Sequence, residues 1–207
     1  MRILTEYEAE KLLSDQGFPL AYRKLFTTEK EAYKEAEKLN FNIVLKIASP
    51  KILHKTELKG VKLGITKENF SKNYKALDNL KIPKQGILLQ EYVEGLQLII
   101  GIKKDPVFGH VLLLGLGGIY TELFKDTSLR VLPLEKKDVH SLLEELKIYP
   151  LLKGYRGEKY NLKHLEKILL HFNDFVKKYP TLQELDINPL IINEKKVTFV
   201  DARLIFN

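Results

Sequence analysis

The residues with the most chemical potential lie in Glu184-Leu185-Asp186-Ile187-Asn188 and, further on, at Asp201. In a strand, alternation places Glu184, Asp186 and Asn188 on one face while Leu185 and Ile187 bury on the other. Oxygen ligands on one face, joined by Asp201 from a neighbouring strand, suit Mg²⁺. That ion takes a few hard oxygens and keeps room for phosphates and water. The solvated face of an edge strand carries the same alternation. Lys46 interrupts the apolar run Ile43-Val44-Leu45-Lys46-Ile47-Ala48. A buried ammonium is costly unless a carboxylate or phosphate meets it, although a snorkelling lysine on an edge strand reads the same way. His54 follows Pro50 in a segment that also holds Lys51, Lys55 and Lys59. Imidazole, with its ordinary pKa of about 6.5, is largely neutral and nucleophilic at pH 7. The lysines would favour that neutral form and stabilise a phosphoryl group attached to it. An exposed loop histidine is the commoner meaning of such a residue taken alone.

The other signals are weaker singly. Gly115-Leu116-Gly117-Gly118-Ile119 resembles a phosphate loop but lacks the Lys-Ser/Thr of a P-loop and opens no evident helix. Arg130 and Arg203 have the fork geometry of phosphate clamps, with surface ion pairs as the competing role. His110, His140, His164 and His171 have no histidine or cysteine at ligand spacing. A strand lysine, a loop histidine, a glycine loop and an acidic strand pair together form the kit for nucleotide–Mg²⁺ phosphoryl transfer, where positioning and charge neutralisation dominate.

The elements that must carry these residues are legible. Thr5 with Glu8 forms a capping box opening a helix with Ala9, Leu12 and Leu13 inward and Gly17 at its end. Thr28 with Glu31 opens a second, with Ala32, Ala36 and Leu39 inward. Strands are expected at 43–48, 60–66 and 86–93, with a helix at 68–80 between the last two. Beyond Gly95 come closely spaced strands at 96–102, 110–114, 119–124 and 129–132. Helices follow at 136–147 and 162–178, then strands at 182–187 and 197–200. Elements alternate without a repeated βαβ period, so the expected class is α+β, with two lobes, 1–93 and 94–207, meeting near Val93 to Gly95.

Composition narrows the function classes. With 44% hydrophobic and 29% charged residues in 207, the chain reads as globular rather than disordered. The longest nearly uninterrupted apolar run, Val111 to Tyr120, includes glycines and is too short to cross a bilayer. The N-terminus has no signal-peptide pattern, and there are no cysteines, so a cytoplasmic location is expected. The net charge of +7 comes from lysines scattered among glutamates, which argues against nucleic acid and suits a binder of phosphorylated small molecules.

The order of motifs resembles a known family over essentially the whole chain. Ile43 to Lys46, Ile52-Leu53-His54-Lys55-Thr56, Gly60-Val61-Lys62-Leu63, Gln90-Glu91 and Asp105-Pro106-Val107-Phe108-Gly109 come first. Gly115 to Ile119, Lys125-Asp126, Tyr149 to Gly157, Asp186-Ile187-Asn188-Pro189-Leu190 and Val200-Asp201-Ala202-Arg203 follow. The sequence is similar to the beta subunit of ADP-forming acetate–CoA ligases, relatives of succinyl-CoA synthetase. The resemblance implies an ATP-grasp fold, two α+β lobes enclosing a nucleotide cleft, and the reaction acyl-CoA + ADP + phosphate ⇌ carboxylic acid + CoA + ATP. It implies a partner as well, an alpha subunit bearing the CoA-binding and CoA-ligase domains, in a heterotetramer. By matched position, His54 relays phosphate to ADP, Lys46 meets the nucleotide phosphates, and Gly60 belongs to a phosphate loop. Glu91, Tyr92 and Val93 form the adenine hinge; Gly117, Gly118 and Arg130 complete the expected nucleotide-binding set. Asn188 and Asp201 ligate Mg²⁺, while Asp186 and Glu184 support His54 or the metal. Three positions depart from the pattern: Lys59 for a glycine, Gln97 for a glutamate and His110 for a proline. Two other classes stay open at this point: a carboxylate–amine ligase of ATP-grasp type without phosphohistidine, and a non-catalytic nucleotide-binding subunit.

Overall fold

The computed structural model describes residues 1–49, 60–118 and 125–207. The expected strand at 119–124 and the segment that carries His54 lie outside them. The chain divides into two compact units, one of Met1–Leu4, Ala9–Leu20 and Glu94–Asn207, the other of Thr5–Glu8 and Ala21–Val93.

The larger unit is built on a sheet of β1 (Arg2–Ile3), β6 (Leu96–Asp105), β7 (Gly109–Leu116), β8 (Thr127–Val131), β9 (Leu182–Ile192), β10 (Val197–Phe199) and β11 (Ala202–Phe206). Its strand order is β1-β11-β9-β6-β7-β8, with β10 also on β9, and every pairing is antiparallel. One face carries Ile100, Ile102, Leu112, Leu114, Leu185, Ile187 and Leu204 into a core shared with the helices. Of these, α4 (Lys136–Glu144) contributes Val139, Leu142 and Leu143, the short α5 (Tyr149–Leu152) contributes Leu152, and α6 (Leu162–Lys178) contributes Leu165, Ile168, Leu169, Phe172 and Phe175. That three-and-four spacing makes one apolar stripe. Asn161 caps α6 by accepting the His164 amide at 3.0 Å, and Tyr179-Pro180 follows its end as expected.

The smaller unit has a four-stranded antiparallel sheet, β2 (Arg23–Phe26), β5 (Gly86–Glu91), β3 (Ile43–Ala48) and β4 (Val61–Lys62), in that order. Ile43 and Leu45 of β3 pack with Ile87, Leu89, Ala32, Ala36, Phe70 and Leu77, the last four on helices α2 (Glu29–Lys38) and α3 (Phe70–Asp78). Val44, Lys46 and Ala48 therefore face the other way.

Several differences from the sequence expectation have local causes. β4 stops at Lys62, and the turn around Gly64, at φ +63°, ends the pairing where an alternating pattern suggested a strand to residue 66. β9 continues through Asn188-Pro189, which reads as a turn in sequence. Its partner changes there, from β11 at Ala202↔Ile187 to β10 at Phe199↔Leu190. Pro189 sits at the changeover, where its carbonyl accepts the Val200 amide at 3.3 Å. The Thr5–Glu8 box forms on α1 (Glu6–Asp15), whereas the Thr28 hydroxyl donates to the Glu31 carboxylate at 2.7 Å instead of accepting a backbone amide.

Candidate functional site

On the larger unit the acidic residues project from the sheet face opposite the core. Leu185 and Ile187 are buried, while Glu184, Asp186 and Asn188 between them are partly exposed. The register puts Gly101 and Arg203 directly beside Asp186, one on each flanking strand. Gly101 contributes no side chain to that row. Burial pushes the Asp186 carboxyl above the usual carboxylate range, with the charges of Asp201 and then Glu184 adding to the effect and Arg203 opposing it. A carboxyl raised in part by neighbouring carboxylates is a place where a divalent cation removes a repulsion.

The glycine loop is tied to the same face. The Gly118 amide donates to Asn188 Oδ1 at 3.0 Å, and the Gly117 amide donates to the Gln97 carbonyl at 2.9 Å. Gly118 has φ +67°, a region that disfavours residues with a Cβ. A Cβ at Gly118 would fall on the Gln97 side-chain oxygen, and one at Gly117 on the backbone of Leu98. Both glycines are thus demanded by close approach. An amide oxygen has two lone pairs, so Asn188 Oδ1 can bond Gly118 and still face a cation.

Those oxygens fit Mg²⁺. Among the described residues no group of three or more His, Cys, Asp or Glu side chains could hold a metal. The ion would therefore take Asp201 and Asn188, with Asp186 nearby, and complete its shell from phosphate and water, the usual Mg²⁺ arrangement at nucleotide sites.

On the smaller unit, Lys46 is buried in β3 and its Nζ lies 2.8 Å from Glu6 Oε1 on the first turn of α1. This is the anion that a lysine inside an apolar strand requires. Lys46 pairs with Val61, and the Ile47 amide donates to the Gly60 carbonyl at 2.9 Å. The hinge residues follow β5. The Glu91 amide donates to the Tyr22 carbonyl at 2.8 Å and the Tyr92 amide to the Asn42 carbonyl at 2.9 Å, with Val93 next. Asn42 Nδ2 returns a bond to the Tyr92 carbonyl at 3.3 Å.

Arg130 does not join the acidic residues. It pairs with Leu112, so it projects on the helix-covered face. There its guanidinium donates to Glu145 Oε1 at 2.6 Å, to Ser141 Oγ at 2.9 Å and to the Leu129 carbonyl at 2.7 Å. The arrangement ties edge strand β8 to α4 and the residue after it. Asp126 has a similar structural role, accepting the Lys147 and Ile148 amides at 2.8 and 3.0 Å. His110 Nε2 lies 2.9 Å from the Leu182 carbonyl, beside the turn of the β6–β7 hairpin. Sequence reasoning did not single out Glu6. The signal was present, since a buried lysine predicts a carboxylate and the Thr5–Glu8 box fixes the helix start beside Glu6.

A family model for the ATP-grasp domain matches residues 1–206. The beta subunit of acetate–CoA ligase [ADP-forming] I from Pyrococcus furiosus is 36% identical over 99% of this chain and 92% of its own length. Among solved structures, the dinucleotide-forming acetyl-coenzyme A synthetase 1 of Ca. Korarchaeum cryptofilum with coenzyme A and Ca-AMPCP has a TM-score of 0.91 at 35% identity, covering 100% of this chain and 94% of that one. The same enzyme with coenzyme A and Mg-AMPPCP, its phosphohistidine segment pointing towards the nucleotide binding site, gives 0.86 at 36% identity, over 99% and 93% of the two chains. The chain belongs to the ATP-grasp family, among the beta subunits of ADP-forming acetate–CoA ligases.

Proposed function

We propose that this chain is the nucleotide-binding subunit of an ADP-forming acid–CoA ligase, and that it relays a phosphoryl group through His54 to ADP. The observation that carries the reading is the hydrogen bond from the Gly118 amide to Asn188 Oδ1, on the strand face that also carries Glu184 and Asp186. It ties a candidate cation ligand to the glycine loop. The overall reaction is acyl-CoA + ADP + phosphate ⇌ carboxylic acid + CoA + ATP. The acyl and CoA chemistry belongs to a companion alpha subunit with the CoA-binding and CoA-ligase domains, in a cytoplasmic heterotetramer. Its P. furiosus relative is itself named a beta subunit. No helix among the described residues is long and apolar enough to cross a membrane.

In the step assigned to this chain, an oxygen of the ADP β-phosphate attacks phosphorus on the His54 ring. The new P–O bond forms as the N–P bond breaks, and the ring nitrogen keeps that electron pair. Lys46 donates to the phosphates, the Gly117–Gly118 turn, bare of side chains, lets them come close, and the 91–93 hinge reads adenine. Asn188 and Asp201 would hold Mg²⁺, which when bound would neutralise phosphate charge. His54 lies outside the described residues, so its place in this step rests on the motif and on the phosphohistidine segment named for the Korarchaeum enzyme.

Run in reverse, the step provides the test. The chain with Mg²⁺ and γ-labelled ATP should acquire an acid-labile, alkali-stable label that His54→Ala abolishes. Full labelling of His54→Ala would refute the relay.

A further inference from the structure

We propose that Glu6 is the positioning residue for Lys46, holding its ammonium aimed for a nucleoside diphosphate. The proposal rests on the reading of Lys46 as a phosphate ligand and adds a group that reading did not contain.

The pair is short and buried. Lys46 Nζ lies 2.8 Å from Glu6 Oε1, with 8% of the lysine side chain and 4% of the glutamate side chain exposed. A cation at that depth is strongly disfavoured without an anion, and Glu6 supplies one. Lys46 cannot swing aside easily, because its strand is buried along its whole length and paired on both sides, with Leu88 of β5 and Val61 of β4. An ammonium has three hydrogens; Glu6 engages one and so fixes the directions of the others.

The sequence also fixes Glu6 itself. The Thr5 amide donates to Glu8 Oε2 at 2.8 Å and the Glu8 amide to Thr5 Oγ1 at 3.3 Å, setting the helix start immediately before Glu6. At the first turn the carboxylate also gains from the helix dipole. The box orients the turn, the turn orients Glu6, and Glu6 orients Lys46. An opposite role is conceivable for such a pair, a latch in which the carboxylate competes with phosphate. The two roles predict opposite signs. A positioning group strengthens nucleotide binding, so removing it weakens affinity; removing a latch would strengthen it.

The test compares Mg-ADP with adenosine on the 207-residue chain, ADP by calorimetry and adenosine by NMR shift. Glu6→Gln should weaken Mg-ADP about tenfold, the scale of one charge-assisted hydrogen bond, while adenosine binding stays unchanged. Glu6→Asp, which keeps the charge on a shorter arm, should fall between Gln and wild type; it also serves as the test if Glu6→Gln does not fold. In a Lys46→Met background, Glu6→Gln should cause no further loss of ADP affinity. Unchanged or tighter ADP binding in Glu6→Gln, or equal losses for ADP and adenosine, would overturn the proposal. If Lys46→Met alone leaves the ratio of ADP to adenosine affinity intact, the phosphate reading of Lys46 fails instead, a result distinct from the failure of Glu6.

Discussion

Replacing Gly118 with alanine tests the glycine loop most directly. Gly118 sits at φ +67° with its amide donating to Asn188 Oδ1 at 3.0 Å, and a Cβ there would fall on the Gln97 side-chain oxygen. Holding an alanine in the left-handed region costs about 1–2 kcal/mol. Driving the Gln97 side chain out of its rotamer adds about 1 kcal/mol. Gly118→Ala should therefore lose roughly 2–3 kcal/mol, read as a lower urea midpoint at unchanged slope. Trimming Gln97 separates the two costs, so Gly118→Ala with Gln97→Ala should recover about 1 kcal/mol of the loss and leave the backbone cost in place. Gly117→Ala should resist such rescue, because its Cβ meets the backbone of Leu98 rather than a side chain. A Gly118→Ala protein within about 0.5 kcal/mol of wild type, the range of an ordinary surface change, would refute this reasoning. So would a double variant no more stable than the single one.

Two other perturbations separate structural from functional charges. The Arg130 guanidinium, then the Ser128 hydroxyl, hold the Glu145 carboxyl down at about 2. Its folded value lies below its unfolded one, so its stabilisation is fully present above the ordinary carboxylate range and is lost as pH falls towards about 2. Arg130→Gln should return the Glu145 midpoint, followed by carboxyl NMR, most of the way to its ordinary value; an ordinary midpoint in the wild type would contradict the pairing. For Asp186, raised by burial and then by Asp201, the sign is reversed: its contribution is present at low pH and is lost as pH rises through the raised value. Asp201→Asn should lower the Asp186 midpoint without restoring it fully, since burial persists, and should weaken Mg²⁺-nucleotide binding. An unmoved Asp186 midpoint would separate the two carboxylates.

Much of this was legible because side-chain periodicity is a local property. The acidic strand was assigned from alternation alone, and the structure buries Leu185 and Ile187 between Glu184, Asp186 and Asn188. Helix α6 has the bounds its apolar spacing and its Tyr179-Pro180 stop imply. What was not legible depended on partners distant in sequence. β11 and β2 are short and gain their identity from β9 and β5. Arg130 has the fork of a phosphate clamp, yet strand parity turns it towards Glu145, fifteen residues away. Parity on an edge strand follows from register, and register from neighbours outside the motif. Glu6 was missed for a related reason, since its partner Lys46 is forty residues further along.

The same parity explains why the candidate metal ligands and the core cannot vary independently. A one-residue slip of β9 would send Asp186 into the apolar layer and Leu185 to the ligand face, exchanging stability and site together. Register is therefore held by the core side, through Leu185 and Ile187, and the acidic residues inherit their aim from it. Pro189 reinforces this, because β9 changes partner beside it, from β11 to β10, and a residue without an amide proton suits the gap between two ladders. Asn188, immediately before that changeover, is pinned from the other direction by the Gly118 amide. A candidate ligand fixed by strand parity on one side and by a glycine loop on the other is preorganised, so a cation would meet an oxygen already in place and less binding energy would be lost to ordering it.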